Sequence, residues 1–297
     1  MRVNPNPMPD LLAALNQTQL EEQQAELQIS TGKSVNVPSD NPVAAALLVE
    51  NNDQATFTSG YLQSVSVVQD QLATASSTLG SITSALQQAL SLGVEAGGGT
   101  LAASDLAGIA NQLQGIQSQL VSLANTAYQG NYVFAGTKTS TAPFVVDAAA
   151  PDGSGVIYVG NADVNDVSIG SGYKIAVNVP GSQLFLAPGN SVFLAINNLI
   201  QAVQTNTGIG TAVNAVSAAS SYLSAETVFY GNATDQTQSQ TTYLNAAKLQ
   251  ISQQQNTLGA VDMAAAASNL TQAQTDSQAA LAAIGKLSQN NLFDYLT

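Results

Sequence analysis

The sequence predicts a mainly α-helical protein with one β-rich insertion, in which long antiparallel helices from both chain ends form an elongated bundle. Two observations predict this class. Apolar residues recur at spacings of three and four over long stretches on both sides of the middle of the chain, which is the period of a helical heptad. Between residues 132 and 190 the period changes to short β-branched and aromatic segments that are separated by glycine-rich turn signals.

The first long helix is predicted from Pro42, which suits a first-turn position, with Ser39 or Asp40 as candidate caps. Glycines 97–99 lie beyond its end. Because the apolar seam keeps its spacing over four repeats, this helix is expected to pack along its length. The seam consists of Tyr61, Val65, Val68, Leu72, Ala75, Leu79, Ile82, Leu86 and Ala89.

A second helix is predicted after a short gap, with Ser104 as its cap. Its stripe has the same spacing, and the short gap makes the preceding helix its expected antiparallel partner. The periodicity is equally compatible with an ordinary helical core and with an assembly rod. The stripe consists of Leu106, Ile109, Leu113, Ile116, Leu120, Leu123 and Ala127.

The insertion is predicted to contain short strands between turns. A short helix with Phe193, Ile196, Leu199, Ile200 and Val203 follows, and Gly208 and Gly210 end it. The predicted strands are Tyr132–Phe134, Phe144–Val146, Val156–Val159, Val164–Ile169, Tyr173–Val179 and Leu184–Leu186.

Both chain ends carry a weaker helical stripe in which polar residues dilute the apolar ones, so neither helix is expected to be stable alone. Each requires a partner, which is either the other end of the chain or a neighbouring copy. The sequence predicts an assembly interface between the two stripes. Its residues are Leu11, Leu15, Ala25 and Ile29 of the first helix and Leu270, Ile284, Leu287 and Leu292 of the last.

Composition excludes several functions. The 297 residues include six Lys plus Arg against 19 Asp plus Glu, a net charge of -13, and no Cys, His or Trp. A cysteine nucleophile, a Ser-His-Asp triad, a disulfide framework and an ordinary zinc site are therefore impossible. Because the chain is acidic, nucleic acid and anionic membrane surfaces are not expected partners.

The sequence shows neither an apolar run long enough to span a membrane nor an N-terminal secretory signal. The longest wholly apolar run, Val43–Val49, is too short for a membrane span, and the residues after Met1 do not resemble a secretory signal. We therefore expect any export to use another route.

The insertion contains one cluster of oxygen ligands that could hold a calcium ion. Asn161, Asp163, Asn165 and Asp166 could contribute oxygens, but the spacing and the bidentate Glu of an EF-hand are absent, and turn geometry also explains such residues. The prediction is therefore no metal, no cofactor and no catalytic residue, with calcium binding near Asp163 and Asp166 left open.

Three segments carry a resemblance to a known family. The run from Gln28 to Pro42 resembles the turn after the first helix of bacterial flagellins and their hook-associated relatives. In that motif Gly32 suits a left-handed helix cap and the prolines block helix continuation. Segments 130–144 and 261–296 resemble the hook-filament junction members of the family. The motif residues are Thr31, Gly32, Lys33, Pro38, Ser39, Asp40 and Pro42.

The resemblance implies a structural, non-enzymatic subunit of the bacterial flagellum, located outside the cell at the hook-filament junction. It implies export through the flagellar type III apparatus without a cleaved signal, a homo-oligomeric ring, and contacts with hook-associated protein 1, flagellin and an export chaperone. The alternatives are a flagellin of the filament itself and a surface adhesion module on a helical stalk.

The expected organisation has five segments. Residues 1–41 and 263–297 form the terminal assembly region, 42–131 and 191–262 form the two halves of the long-helix bundle, and 132–190 form the β-rich insertion. The terminal helices are expected to be ordered mainly by pairing between subunits, since each stripe is weak by itself.

Overall fold

A computed structural model describes residues 8–289. Within this range the chain forms two compact units. Residues 8–57 and 246–289 make up the terminal unit, and residues 58–245 make up the central unit. The five-segment organisation stays a prediction, because the division into two compact units does not test it.

Seven helices and six short strands are found among the described residues. The helices are α1 (Met8–Thr31), α2 (Pro42–Ala96), α3 (Ala103–Ala124), α4 (Gly181–Phe185), α5 (Val192–Thr205), α6 (Ile209–Gly259) and α7 (Met263–Gln289). The strands are β1 (Ala127–Tyr128), β2 (Asn131–Tyr132), β3 (Phe144–Val146), β4 (Val156–Tyr158), β5 (Asp166–Gly170) and β6 (Tyr173–Ala176). The mainly α class with a β-rich insertion is therefore confirmed.

The predicted heptad seam of α2 is the principal core of the central unit. Every seam residue from Val65 to Ala89 is buried, and Tyr61 is half-buried at its edge. α2 ends at Ala96, as the glycine run predicts, and Gly99 adopts a left-handed φ of +72°. A regular apolar period thus identified the buried face correctly.

Helix α3 buries its predicted stripe but differs from the prediction at both ends. Its N-cap residue is Ala102, whose N–H donates to the carboxylate of Asp105 in the first turn (3.3 Å), whereas Ser104 lies inside that turn. The helix ends at Ala124, so Ala127 belongs to β1 and is exposed. Asn125 is the C-cap residue of α3, and its side chain bonds to Phe144 as described below.

The partner of α3 was also incompletely predicted. Helix α5 packs against α3, and both contribute to the same core as the α2 seam. α5 is strongly amphipathic and buries eight of its 14 residues, including Phe193, Ile196 and Leu199. The apolar faces of α2, α3 and α5 thus belong to one core.

The insertion consists of three separate antiparallel hairpins, β1–β2, β3–β4 and β5–β6. Phe144 pairs with Tyr158 in the second hairpin, and a bulge interrupts the third hairpin between Ser168 and Gly170. The Asn125 side chain replaces a neighbouring strand for β3, since its amide accepts from the Phe144 N–H (2.9 Å) and donates to the Phe144 carbonyl (2.7 Å).

An aromatic cluster forms the centre of the insertion. Phe144 lies 5.5 Å from Phe185 and 5.3 Å from Phe193 between ring centroids, and Phe134 lies 5.2 Å from Phe185 in an edge-to-face arrangement. All four rings are buried. Phe134 and Phe144, in the first part of the insertion, are thus core residues.

The predicted strand Leu184–Leu186 is wrong, because its residues lie in or directly after helix α4. The carbonyl of Pro180 accepts hydrogen bonds from Gln183 (3.0 Å) and Leu184 (3.2 Å), which closes a helical turn. Leu184 and Phe185 are buried. A short apolar run has no distinguishable period, so a strand and a buried helical turn look alike in sequence.

Candidate assembly site: the paired terminal helices

Helices α1 and α7 pack against each other within the terminal unit. A cleft of about 290 Å³ between them is lined by Gln24, Ala25 and Gln28 of α1 and by Asn269 and Ala273 of α7, among others. The C-terminal part of α1 therefore lies beside the N-terminal part of α7, and the two helices run antiparallel.

The predicted α1 stripe is the face that α7 covers. Ala25 is buried at 4% exposure, whereas Leu11, Leu15 and Ile29 are half-buried. Thr18, at a stripe position between Leu15 and Ala25, donates its hydroxyl to the Leu15 carbonyl (2.9 Å). Helix α7 of the same chain thus contacts the whole α1 stripe but leaves most of its large side chains partly exposed.

On α7 the predicted residues Leu270 and Ile284 are half-buried. Leu287 belongs to α7, but its side chain lies outside the described part, and Leu292 lies outside the described residues altogether. The most buried side chains are small ones that the prediction did not select, namely Ala266, Ala273 and Ser277. They belong to the same predicted helical stripe as Leu270 and Ile284, from which the predicted interface took only the large residues.

The turn after α1 is fastened to the segment between α6 and α7. Gly32 ends α1 with a left-handed φ of +69°, as predicted, and its carbonyl accepts from the Val261 N–H (3.2 Å). The Ser34 N–H donates to the Gly259 carbonyl (2.8 Å), and Lys33 forms an isolated antiparallel bridge with Ala260. These backbone bonds hold the end of α1 at the start of α7.

Asp40 closes the turn instead of capping α2. Its carboxylate accepts from the backbone N–H groups of Asn36 (2.9 Å) and Val37 (3.0 Å), and from the Gln24 amide (3.3 Å). The cap of α2 is Asn41, whose side chain accepts from the Ala44 N–H (3.0 Å). The prediction of Ser39 or Asp40 as the cap is therefore wrong, since Asp40 is already committed to the turn.

The remaining motif residues lie around this turn. The Thr31 hydroxyl donates to the Leu27 carbonyl (2.8 Å) and accepts from the Lys33 N–H (3.2 Å). Pro38 and Ser39 are exposed in the turn, and Pro42 is the first residue of α2. On the other side of the bridge, Asp262 caps α7 by accepting from the N–H of Ala264 (2.9 Å) and Ala265 (3.1 Å).

The oxygen-rich cluster of the insertion is hydrogen-bonded within the chain. Residues 8–289 contain no group of three or more acidic residues that could hold a metal ion. Asn161 instead bonds to Thr137 and Asp163, and the Asn165 N–H donates to Asn178 (2.6 Å). Among the same residues, no helix is both long and apolar enough to cross a membrane.

Both helical ends of the chain match one protein family. The model of the bacterial flagellin N-terminal helical region matches residues 7–139, and that of the flagellin C-terminal helical region matches residues 206–296. The chain belongs to the bacterial flagellin family. The unmatched residues between the two regions include strands β3 to β6.

Within the family the chain is similar to flagellar hook-associated protein 3. It is 39% identical to that protein from Salmonella typhimurium over 134 residues, which is 45% of this chain and 42% of the relative. It is 34% identical to that of Escherichia coli over 159 residues, or 53% and 48%. The chain spans about half the length of these curated relatives.

A solved structure shows the same fold. The crystal structure of flagellar hook associated protein-3 from Legionella pneumophila superimposes with a TM-score of 0.63 at 13% identity, covering 70% of this chain and 98% of that chain. At this identity the similarity concerns the fold alone.

Proposed function

We propose that this chain is a structural, non-enzymatic subunit of the bacterial flagellum that joins the hook to the filament. In this role it occupies the hook-filament junction outside the cell, forms a ring of identical subunits, and contacts hook-associated protein 1 on one side and flagellin on the other. An export chaperone holds it before assembly.

One observation carries the proposal. The α1–α7 pair covers its stripes only in part, since Ala25 is the one buried residue of α1 in the described range while Leu11, Leu15 and Ile29 stay half-exposed. A helix pair with so small a core gains little hydrophobic free energy by itself. Contacts with neighbouring copies would supply the missing burial, which favours a subunit whose ends become fully ordered on assembly.

The intramolecular pairing refines the expectation from sequence. Part of the burial comes from within one chain, because the bridge between Lys33 and Ala260 holds α1 beside α7. The contribution from neighbouring subunits is the proposed remainder. Preformed pairing would also lower the entropy lost on assembly, since two helices dock as one body.

Gene deletion tests the proposed role. Cells of the source bacterium without the gene should carry hooks but no attached filaments and should release flagellin into the medium. The intact gene should restore filaments. Normal filaments after deletion would refute the junction role, and loss of surface attachment with normal motility would favour the adhesion module instead.

A second candidate, a flagellin of the filament, comes from the same family because both family models describe flagellin regions. Immunogold labelling of intact flagella separates the two. A junction subunit would be labelled in one narrow band where the hook ends, whereas a flagellin would be labelled along the whole filament. Absence of released flagellin from the deletion strain would also favour the second candidate.

A pair of substitutions tests the assembly site itself. Leu15→Asn with Ile284→Asn should abolish complementation, because each places an amide at a half-buried position of the seam. Leu249→Asn is the matched control, since Leu249 is 61% exposed on α6. Equal complementation by both variants would show that the seam does not support assembly.

A further inference from the structure

A recess of about 260 Å³ lies between the third hairpin and helix α6, within the central unit. Strand β6 lines one side of it with Lys174, Ile175 and Ala176. The Gln240 amide of α6 donates to the Ile169 carbonyl of β5 (3.0 Å), and this bond holds the hairpin on the helix. We call this site the β6–α6 recess; its α6 residues are Phe229, Asn232, Ala233 and Gln236.

Lys174 supplies the positive charge of the recess. Its side chain is exposed, and it forms no ion pair with any acid of residues 8–289. This is notable in a chain with 19 Asp plus Glu and only six Lys plus Arg. An ammonium group is a donor of three hydrogen bonds and accepts none, so Lys174 favours an anionic oxygen in the recess.

Two amide side chains of α6 border the same recess. The Tyr173 hydroxyl donates to the Gln236 amide oxygen (3.3 Å), which leaves the Gln236 amide nitrogen to donate to another group. The Asn232 side chain has no hydrogen-bond partner in the described part of the chain, so both its oxygen and its nitrogen are available. Donors and acceptors side by side match hydroxyl groups, since a hydroxyl both donates and accepts.

The rest of the lining is apolar. Phe229 is half-buried, and the ring of Tyr230 packs edge-to-face against it at 5.1 Å between centroids. Ile175 and Ala233 are buried beside it. The part of the Phe229 ring that remains accessible is a flat apolar surface, and the carbon–hydrogen face of a ring-shaped ligand can pack on such a surface.

We propose that the β6–α6 recess binds one acidic monosaccharide, a hexuronate. Its carboxylate would lie at Lys174, its hydroxyls at Asn232 and Gln236, and its carbon–hydrogen face on Phe229. The volume is below the roughly 300–1,000 Å³ of pockets for drug-sized ligands, so it suits a single sugar unit. A polyanion would be repelled by the net charge of -13, whereas one carboxylate on a neutral ring meets much less repulsion.

This inference goes beyond the proposed function and does not depend on it. The β6 side of the recess lies between residues 139 and 206, which neither flagellin family model covers. The α6 side lies within the C-terminal match. The recess therefore combines a helix of the flagellin fold with a hairpin that the family models do not describe, and its chemistry belongs to this chain.

A titration of the purified, nitrogen-15-labelled full chain with sodium D-glucuronate tests the site by NMR. The side-chain amides of Asn232 and Gln236 and the backbone amide of Lys174 should shift saturably, with a Kd of about 1–10 mM for so small a polar ligand. D-Glucose has a similar ring without the carboxylate, and acetate has the carboxylate without the ring. At equal ionic strength both should bind at least about fivefold more weakly.

Substitutions of exposed residues locate the binding energy without disturbing the core. Lys174→Gln removes the charge but keeps a polar side chain, and it should raise the Kd for glucuronate at least about fivefold. Asn232→Ala should raise the Kd about threefold, since one hydrogen-bonding group is lost. Lys248→Gln is the matched control, because Lys248 is an exposed lysine of α6 outside the recess, and it should keep the wild-type Kd.

Four results would overturn the inference. The first is the absence of saturable shifts at the recess in folded protein, and the second is a wild-type Kd for Lys174→Gln. Equal affinity for glucose would mean that the carboxylate is not recognised, and equal affinity for acetate would mean that the ring contributes nothing. Circular dichroism spectra matching the wild type verify that each variant is folded. Filament attachment in the deletion strain is a separate readout, so failure of this inference and failure of the proposed function are distinguishable.

Discussion

Replacing Gly32 by Ala perturbs the assembly site through the backbone alone. Gly32 ends α1 at a φ of +69°, and a Cβ added there would meet no atom within 4 Å. Steric overlap is thus absent, and the cost comes from the left-handed conformation, about 1–2 kcal/mol for an L-residue. Ala also lowers the conformational entropy of the unfolded chain, which stabilises the folded state by about 0.4–1 kcal/mol. The net loss in the free energy of unfolding should therefore be about 1 kcal/mol.

The effect should be local to the bridge between the two ends of the chain. The Gly32 carbonyl accepts from Val261, and the next bond of the bridge runs from Ser34 to Gly259. Opening of this bridge exposes the Ser34 and Val261 amides to solvent, and about 1 kcal/mol corresponds to an opening equilibrium about fivefold larger. Amide hydrogen exchange at these two positions should therefore be about fivefold faster in the variant.

Two controls separate conformation from side-chain size. Gly32→Asn should show a smaller acceleration, since Asn tolerates the left-handed region. Gly60→Ala also adds a Cβ in open space, but inside helix α2, where it should stabilise by about 0.5–1 kcal/mol and leave the bridge unchanged. If Gly32→Ala exchanges at the wild-type rate at Ser34 and Val261, the reasoning from backbone strain is wrong.

Three further predictions concern the whole chain. Removal of residues 1–40 and 265–297 should leave the helix content per remaining residue nearly unchanged by circular dichroism but abolish assembly, and retained assembly would contradict the proposed site. Burial raises the pKa of Tyr230, whose hydroxyl accepts a hydrogen bond from a backbone N–H at 3.3 Å. The protonated Tyr230 hydroxyl therefore stabilises the fold below its ordinary pKa of 10.0, and this stabilisation is lost as the pH rises above that value. The urea midpoint of Tyr230→Phe should accordingly fall less at alkaline pH than that of the wild type. Burial alone would raise the pKa of Asp152, but hydrogen bonds from the Ser154 hydroxyl (2.6 Å) and the Ser154 backbone N–H (3.0 Å) lower this pKa overall. The ionised Asp152 carboxylate therefore stabilises the fold above its ordinary pKa of 3.8, and this stabilisation is lost as the pH falls below that value. Asp152→Asn should reduce acid sensitivity by a few tenths of a kcal/mol, measured by urea unfolding at neutral and acidic pH.

The outcomes that would contradict the two pH predictions are specific. A wild-type chain and a Tyr230→Phe variant with parallel alkaline profiles would show that another group controls alkaline unfolding. For Asp152→Asn, an unchanged slope of stability against pH below neutrality would show that the bonds to Ser154 persist when the carboxyl is protonated. In either case the geometry would stand, and its electrostatic consequence would be refuted.

The regular spacing of apolar residues was the most reliable structural signal in the sequence. The α2 seam from Val65 to Ala89 is buried as predicted, because a heptad repeat restricts which face of a long helix can meet a partner. The stripes of α1 and α7 were also found, although the most buried α7 residues, Ala266 and Ala273, were passed over in favour of Leu270. Helices approach closely where side chains are small, so size alone is a poor guide to burial.

Short-range choices between similar residues were less predictable. Ser39, Asp40 and Asn41 are all good cap residues, and Asn41 caps α2 because Asp40 holds the turn through the N–H groups of Asn36 and Val37. Leu184 lies in a helical turn and not in a strand for a related reason, since three or four residues show no period. Such choices depend on which hydrogen-bond partner the rest of the chain leaves available.

The sequence by itself determined the class of the protein, the faces of its long helices and the left-handed turn at Gly32, because each depends on neighbours a few residues away. The tertiary structure alone decided which faces meet. α5 packs against α3 in the core that α2 shares, and Lys33 bridges to Ala260 from the other end of the chain. The spacing of apolar residues along a helix shows which face must be buried, but it does not show which segment buries it. That segment is selected by two free-energy terms together, the cost of closing a long stretch of chain and the gain from burying both apolar surfaces.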